Sequence, residues 1–365
     1  MNRYLALTAA LALVACGGGG SSGTPSPTPS PSPSPSPTPT PTPGATTPYS
    51  LVFSTLLDGA SGTTYEMTRD IAIDAQGFIY VTGGTTAPDF PTTPKAYDQV
   101  FGTGGTAVGA QGPGDIFVTK MTPTGQIVWS TFVGGPNYDR AYAIRVGTDG
   151  SVYIAGRAGP GFPTTPGVVQ PAFAGDNGDT FNYGQQDGFV AKLSGDGGNL
   201  IWSTYIGDAG GAFLRDMDID SQGRPYLAVV NINQPMTQFI TANAWQTTRK
   251  DAKEGAYIRL SADAKQVQYG TYFGASGSAA SGDSTGVASI RVAPDGSVVV
   301  ASVERGTNFA TTSGAFQRDN KGGSDLIVMK FSPSDQISFA TYLGGSGDEE
   351  IETHLLAIDN SGRIY

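Results

Sequence analysis

The chain has 365 residues, among them 52 glycines and 25 prolines but one cysteine and one histidine, and its formal net charge is −10. A lone cysteine excludes an intrachain disulfide, and a lone histidine argues against His-based triads and multi-histidine metal centres. The acidic balance argues against nucleic acid as a partner and permits cations or basic partners.

Residues 1–15, MNRYLALTAALALVA, carry one Arg followed by a short apolar run and small residues, the layout of a secretory signal rather than of a membrane span. The next four-residue stretch, Leu13-Val14-Ala15-Cys16, resembles the lipobox of bacterial lipoproteins, which implies Cys16 as the lipid-attachment residue and a membrane contact through that lipid. Gly17 supplies no aspartate retention signal, so a cell-envelope location is expected, as an outer-membrane or cell-surface lipoprotein. Residues 16–48 are Gly/Ser-rich and then Pro-rich, with no side chains able to nucleate a core. They read as a disordered tether, the proline-rich segment stiffened towards polyproline II at about 3.1 Å per residue.

From residue 49 to 365 the chain repeats itself. Gly77, Gly150, Gly223 and Gly296 are 73 residues apart, each in a polar turn, with a further copy at Gly362. The residues four and six positions before each glycine are apolar (Ile73 and Ile71, Val146 and Ile144, Ile219 and Met217, Val292 and Ile290, Ile358 and Leu356), the period of a half-buried strand. A second apolar run after the glycine completes a hairpin, and another hairpin follows in DIFVTKMTPTGQIVWSTFVG and its three later counterparts. Four antiparallel strands in about 70 residues, able to bury both faces only against copies of themselves, make a blade of an all-β propeller. Between the second and third strands stand FPTTP at 90–94 and again at 162–166, with weaker copies around Phe239 and Phe309. The phenylalanines are expected to be apolar plugs, and Thr93-Pro94 and Thr165-Pro166 to open one helical turn that presents Tyr97, Val169, Trp245 and Phe316 as second anchors.

Taken together, STYxGG, DxxGxxYVTG, FPTTPxAF and DxFVxK resemble the bacterial β-propeller repeat family often called SBBP, over residues 51–365, with the third repeat the most divergent. The resemblance implies exported or surface-exposed proteins of propeller architecture and transfers no catalytic activity. LVFSTLL at 51–57 matches a fourth strand and is expected to be a ring-closing donor, while Arg363-Ile364-Tyr365 falls inside the second strand of a fifth repeat. The expected architecture is therefore four blades and a portion of a fifth, an incomplete ring.

Eight residues before each turn glycine stand Arg69, Tyr142, Arg215, Ala288 and His354, at the start of the innermost strand beside the channel mouth. They read either as a polar ring for a ligand or, preferred on repeat logic alone, as solvent-facing variability. Arg145, Asp218 and Arg291, five before the glycine, read as an inter-blade charge ladder rather than a charged channel. Asp115, Asp187, Glu254 and Asp325 open each third strand; copies one blade apart do not converge on calcium, so they are expected to cap loop amides. Trp129 and Trp202 occupy equivalent strand positions and read as core.

No catalytic constellation, metal set or cofactor motif is expected. The reading is a lipid-anchored adhesion or interaction module for a protein or glycan ligand, against a propeller hydrolase or lyase with its site at the channel mouth. The binding face is expected to be the one carrying the long connections, and its acidic residues favour a cationic partner.

Overall fold

Each repeat contributes four antiparallel strands in chain order; the first two repeats are separate four-stranded sheets, and the third and fourth are joined into one eight-stranded sheet where Val230 pairs with Gly286. The structure is a computed structural model that describes residues 51–60, 65–175, 182–276, 286–350 and 353–365. The signal segment, Cys16 and the tether lie outside the described residues. The first blade is β1 (Glu66–Ile73), β2 (Ile79–Thr85), β3 (Asp115–Met121) and β4 (Ile127–Val133); the second is β5 (Arg140–Val146), β6 (Val152–Ala158), β7 (Asp187–Leu193) and β8 (Leu200–Ile206). The third is β9 (Phe213–Ile219), β10 (Pro225–Ile232), β11 (Glu254–Leu260) and β12 (Val267–Phe273); the fourth is β13 (Gly286–Val292), β14 (Val298–Glu304), β15 (Asp325–Phe331) and β16 (Ile337–Leu343). The first hairpin of each blade turns on the repeated glycine, whose φ of +83°, +78°, +72° or +81° at Gly77, Gly150, Gly223 and Gly296 strains any side chain.

Apolar burial runs between blades rather than within them, as a propeller requires. One core joins Tyr80, Ile116 and Val118 of the first blade to Ile144, Ile154 and Phe189 of the second. The next joins Val190 and Trp202 to Met217, Leu227 and Ile258. A third joins Tyr226 and Tyr257 to Ile290, Val300 and Met329. Trp129 and Trp202 are core, as expected, and each indole donates across the blade boundary, to Gly195 O and Ala262 O at 3.0 Å. The fold is thus an all-β propeller, and the described residues form four blades in which no ring-closing strand pairs the first with the last. Ile71 and Ile73 of β1 are exposed, whereas Ile144, Met217 and Ile290 are buried against the preceding blade. Leu356, Ile358 and Ile364 pack on Val299 and Ala301 of the fourth blade, and Ala357 and Tyr365 exchange backbone hydrogen bonds of 3.1 and 2.9 Å, so the first hairpin of a fifth repeat begins as expected.

The FPTTP phrase turns out to cover the outer edge of each blade. Its threonine, expected to cap a helical turn, instead pairs with the fourth strand. Thr93 N donates to Ser130 O, Thr165 N to Ser203 O and Thr241 N to Gly270 O at 3.0 Å, and Thr312 N donates to Ala340 O at 3.1 Å. Further along, the amides of Asp98, Gln170, Gln246 and Gln317 donate to the threonine hydroxyls of the same strands. An uncovered edge strand invites pairing with other chains, and this return path occupies it. The helical turn does not form: residues 93–96 close a single turn through Ala96 N to Thr93 O. Phe90, Phe162, Phe239 and Phe309 are buried plugs as expected. Tyr97, Val169 and Trp245 pack against the adjoining blade. Phe316 does not serve as an anchor; it is 83% exposed. The expected strand at 51–57 is not formed either. Leu51, Val52 and Leu56 are exposed, Leu57 leans on the first blade, and no backbone hydrogen bond ties the segment to residues 353–365.

The repeated acid at the start of each third strand caps the long connection, as expected. Asp115 accepts from Gly102 N at 2.8 Å, Asp187 from Ala174 N and Gly175 N at 2.9 and 3.0 Å, Glu254 from Asp251 N at 2.8 Å and Asp325 from Lys321 N at 2.9 Å. The clamp explains the glycine that ends each fourth strand: a Cβ at Gly134, Gly207 or Gly344 would lie 2.1, 2.0 or 2.5 Å from its blade's aspartate. Burial outweighs these amide bonds and pushes Asp115 and Asp187 up to about 7. The native state therefore takes up protons between the ordinary carboxylate range and neutrality, and stability rises as pH falls through that window. The denaturation midpoint should be higher at about pH 5 than at about pH 8, and Asp187→Asn should shrink the difference. A midpoint that rises with pH across this interval contradicts the assignment.

Candidate functional site

A β-bulge at the same place in every inner strand builds the site. Pairing skips Arg69 between Thr68 and Asp70, Tyr142 between Ala141 and Ala143, Arg215 between Leu214 and Asp216, and Ala288 between Val287 and Ser289. An unpaired bulge residue is re-aimed relative to the strand's regular alternation. Here the re-aiming brings three neighbouring blades to one point: the Arg69 and Arg215 guanidiniums each lie 5.1 Å from the ring of Tyr142. The fourth sequence-selected residue joins them. His354, at φ +55°, places Nε2 2.6 Å from Tyr142 O and Nδ1 3.0 Å from Asp216 Oδ1. The preferred reading of these positions as solvent-facing variability is therefore corrected: Arg69 and Arg215 lie against the ring of the buried Tyr142, and His354 reaches the Tyr142 carbonyl and Asp216.

Beside the bulges lies an ionic hub whose centre is Asp216, fully buried. One of its oxygens meets Arg145 at 3.1 Å and His354 at 3.0 Å. The other accepts from Arg291 at 2.5 Å, Ser289 Oγ at 2.8 Å and Ile290 N at 3.1 Å. Burial alone would raise its pKa, but the hydrogen bond from His354 and the charges of Arg145 and Arg291 hold it well below the usual carboxylate range. The same contacts raise His354 against the effect of its burial. In the first blade the equivalent carboxylate is Asp70, which meets Arg145 at 2.7 Å and Ile144 N at 2.9 Å. The expected ladder of Arg145, Asp218 and Arg291 is thus revised: Asp218 touches Arg145 at 3.4 Å and Val292 N at 2.8 Å, while Arg291 turns to Asp216.

Four guanidiniums, those of Arg69, Arg140, Arg157 and Arg215, surround the ring of Tyr142 among the described residues. Arg140 lies 4.8 Å from the Tyr142 ring and donates to its hydroxyl, and Arg157 lies 5.7 Å from the same ring. Tyr183, from the connection between β6 and β7, stacks 3.8 Å from the Arg157 guanidinium, and Phe213 and Tyr138 complete the wall. Arg140 and Arg157 are 2% and 4% exposed. Tyr142 is buried, which by itself would raise its pKa, yet the four guanidiniums together bring the phenol below its ordinary value. Arg140 and Arg157 were missed by the sequence reading, although a signal existed. In the repeat register Arg140 replaces Met67, Phe213 and Gly286, and Arg157 replaces Gly84, Val230 and Val303, so both break the pattern at positions where the fold itself asks for no charge.

Two of the acidic residues on this face are engaged by loop backbone, while Asp58, Asp348 and Glu350 are exposed. Asp139 accepts from Gly135 N and Gly159 N, and Asp208 from Gly210 N and Gln234 N, so these carboxylates are spent on loop backbone. Among the described residues no group of three or more His, Cys, Asp or Glu side chains is placed to hold a metal ion.

No family model matches the chain, and no curated protein does. Among solved structures, a thermostable family-43 glycoside hydrolase is similar over 78% of this chain and 94% of its own, at 9% identity and a TM-score of 0.28. A mutant of the apocarotenoid oxygenase from Synechocystis is similar over 76% of this chain and 69% of its own, at 14% identity and a TM-score of 0.23. Likenesses this distant carry no argument about activity.

Proposed function

We propose that this chain is a tethered, lipid-anchored propeller of the SBBP-like kind, which serves at the cell envelope as an adhesion or interaction module and binds its ligand at the channel mouth. The observation that supports binding there is the convergence of the repeat-breaking Arg140 and Arg157 with Tyr142 and Arg215 on the face that carries the long connections. Connecting strands requires none of them. A hydrolase reading finds less support at the same place. Hydrolysis of a glycosidic bond asks for two carboxyl groups free to act on the bond, whereas Asp70 and Asp216 are engaged by Arg145, Arg291 and backbone amides.

The test uses the mature chain on a glycan and peptide array. Retention of a ligand in unchanged form, lost when Arg140 and Arg215 are both replaced by Gln, supports the module. Retention indifferent to that change removes the mouth from the account, and chemical turnover of the retained ligand replaces the module with the hydrolase or lyase. Anchoring has its own test: metabolic labelling with palmitate should give a lipidated product that Cys16→Ser abolishes. An unlabelled, freely released wild type contradicts it.

A further inference from the structure

We infer that the arginine box around Tyr142 is a binding site for one oxyanion group, a carboxylate, sulfate or phosphate, which sits between the guanidiniums of Arg140, Arg157 and Arg215. The inference rests on reading the mouth as a binding surface, but its test needs neither a partner nor the lipid, so either can fail without the other.

Three observations carry it. First, among the described residues the buried guanidiniums of Arg140 and Arg157 have no carboxylate partner. A guanidinium offers five N–H donors and cannot shed its proton. Arg157 is 4% exposed, its Nε meets no acceptor, and what surrounds its head is aromatic: Tyr183 at 3.8 Å, Phe213 at 5.5 Å, Tyr142 at 5.7 Å. Arg140 is likewise buried, with an unpartnered Nε, and its acceptors are the Tyr142 hydroxyl and the Met67 sulfur. Aromatic faces soften the cost of such burial without cancelling the charge.

Second, the deficit is local. In the hub, Arg145 and Arg291 share Asp70, Asp216 and Asp218 at 2.5 to 3.4 Å, so this chain does supply carboxylates where its inner-strand arginines are structural. Among the described residues, what it sets against Arg140 and Arg157 is phenols, a phenyl ring and a thioether. Like charges gathered in a buried site repel one another, and the fold does not require this one, since Gly84 and Val230 stand at the place of Arg157 in other blades.

Third, the chemistry is matched. Planar guanidinium forks suit the geometry of carboxylate, sulfate and phosphate oxygens, and charge-assisted bonds of this type are the strong ones. Arginines contributed by β5, β6 and β9 enclose one group from three sides. The depressed phenol of Tyr142 reports the same positive field. The low exposure of Arg140 and Arg157 limits the guest to a single oxyanion group, whether free or at the end of a larger ligand.

The experiment compares thermal unfolding of the mature wild-type chain and Arg157→Met in sulfate, phosphate and glucuronate, with chloride replaced at constant ionic strength. Sulfate and phosphate strengthen burial in any protein, so the variant measures that general effect. The wild type should show a saturable rise in midpoint, and Arg157→Met should lose the saturable component, with at least a tenfold weaker apparent affinity. Without anion, Arg157→Met should unfold no earlier than wild type, because a repelling charge has gone. As a second readout, spectrophotometric titration should show the earliest tyrosinate signal moving to higher pH when anion binds. If Arg157→Met does not fold, Arg215→Gln, at a half-buried position, replaces it. Preference for glucuronate assigns the carboxylate of an acidic sugar, and preference for phosphate or sulfate assigns a free or ester-borne tetrahedral anion. Absence of a saturable response to all three, or an equal response in wild type and variant, overturns the inference.

Discussion

Asp216→Asn should destabilise the propeller by about 3–5 kcal/mol, the range for removing one partner of a buried ion pair and leaving the other uncompensated. Arg145 would keep Asp70 at 2.7 Å, but Arg291 and His354 would lose the carboxylate they face at 2.5 and 3.0 Å. The amide oxygen of Asn still accepts one bond from Ile290 N or Ser289 Oγ, so the loss falls on charge rather than on the whole network. Asp218→Asn is the control. Asp218 meets Arg145 at 3.4 Å and a backbone amide at 2.8 Å, and its removal should cost clearly less. Denaturant midpoints of the two variants check the order; equal losses would return Asp218 to the centre of the ladder. Because Asp216 is held below the ordinary carboxylate range, its contribution is complete above that range and fades as pH falls through its native value. The gap between wild type and Asp216→Asn should therefore narrow in strong acid.

Phe162→Ala should cost about 3–5 kcal/mol, the range for removing a buried phenylalanine and leaving a cavity. Phe162 is 3% exposed, with its ring 4.6 Å from Phe189 and 6.1 Å from Tyr205, and its amide donates to the Tyr205 hydroxyl at 2.9 Å. The plug holds the return path against the outer strand, so its loss should also speed proton exchange at Ser203 and Tyr205, whose edge that path covers. Phe316→Ala, at an 83% exposed position, should change stability by no more than about 0.5 kcal/mol. Comparable losses at Phe162 and Phe316 would refute the division between plug and failed anchor.

What the sequence disclosed follows from repetition. A demand met four times leaves four copies of its residue, so strand pairing, the phenylalanine plugs and the acid clamps could be read from spacing. The clamp even explains the glycine of the STYxGG phrase, through Gly134 against Asp115 and Gly207 against Asp187. Features that are identical in every blade yet change direction rather than residue type left no such trace. Counting by two from Ile144 places Tyr142 on the strand's apolar face; the bulge breaks that count and aims it at Arg69 and Arg215. The threonine of FPTTP was legible as a polar cap, but its partner, the fourth strand some 37 residues onward, is a long-range pairing that local signals do not encode. The preference for Asp216 over Asp218 as the hub likewise depends on where the bulge falls. The arginine box was visible only as departures from the repeat, at Arg140 and Arg157, in a reading that looked for recurrence.

Anomalous scattering from crystals of the mature chain grown or soaked in selenate tests the assigned site most directly. A selenium peak should lie within hydrogen-bonding distance of the guanidiniums of Arg140, Arg157 and Arg215 beside Tyr142, and should vanish in Arg157→Met crystals treated alike. An empty box in selenate, with peaks confined to surface lysines, would contradict a binding site at the channel mouth.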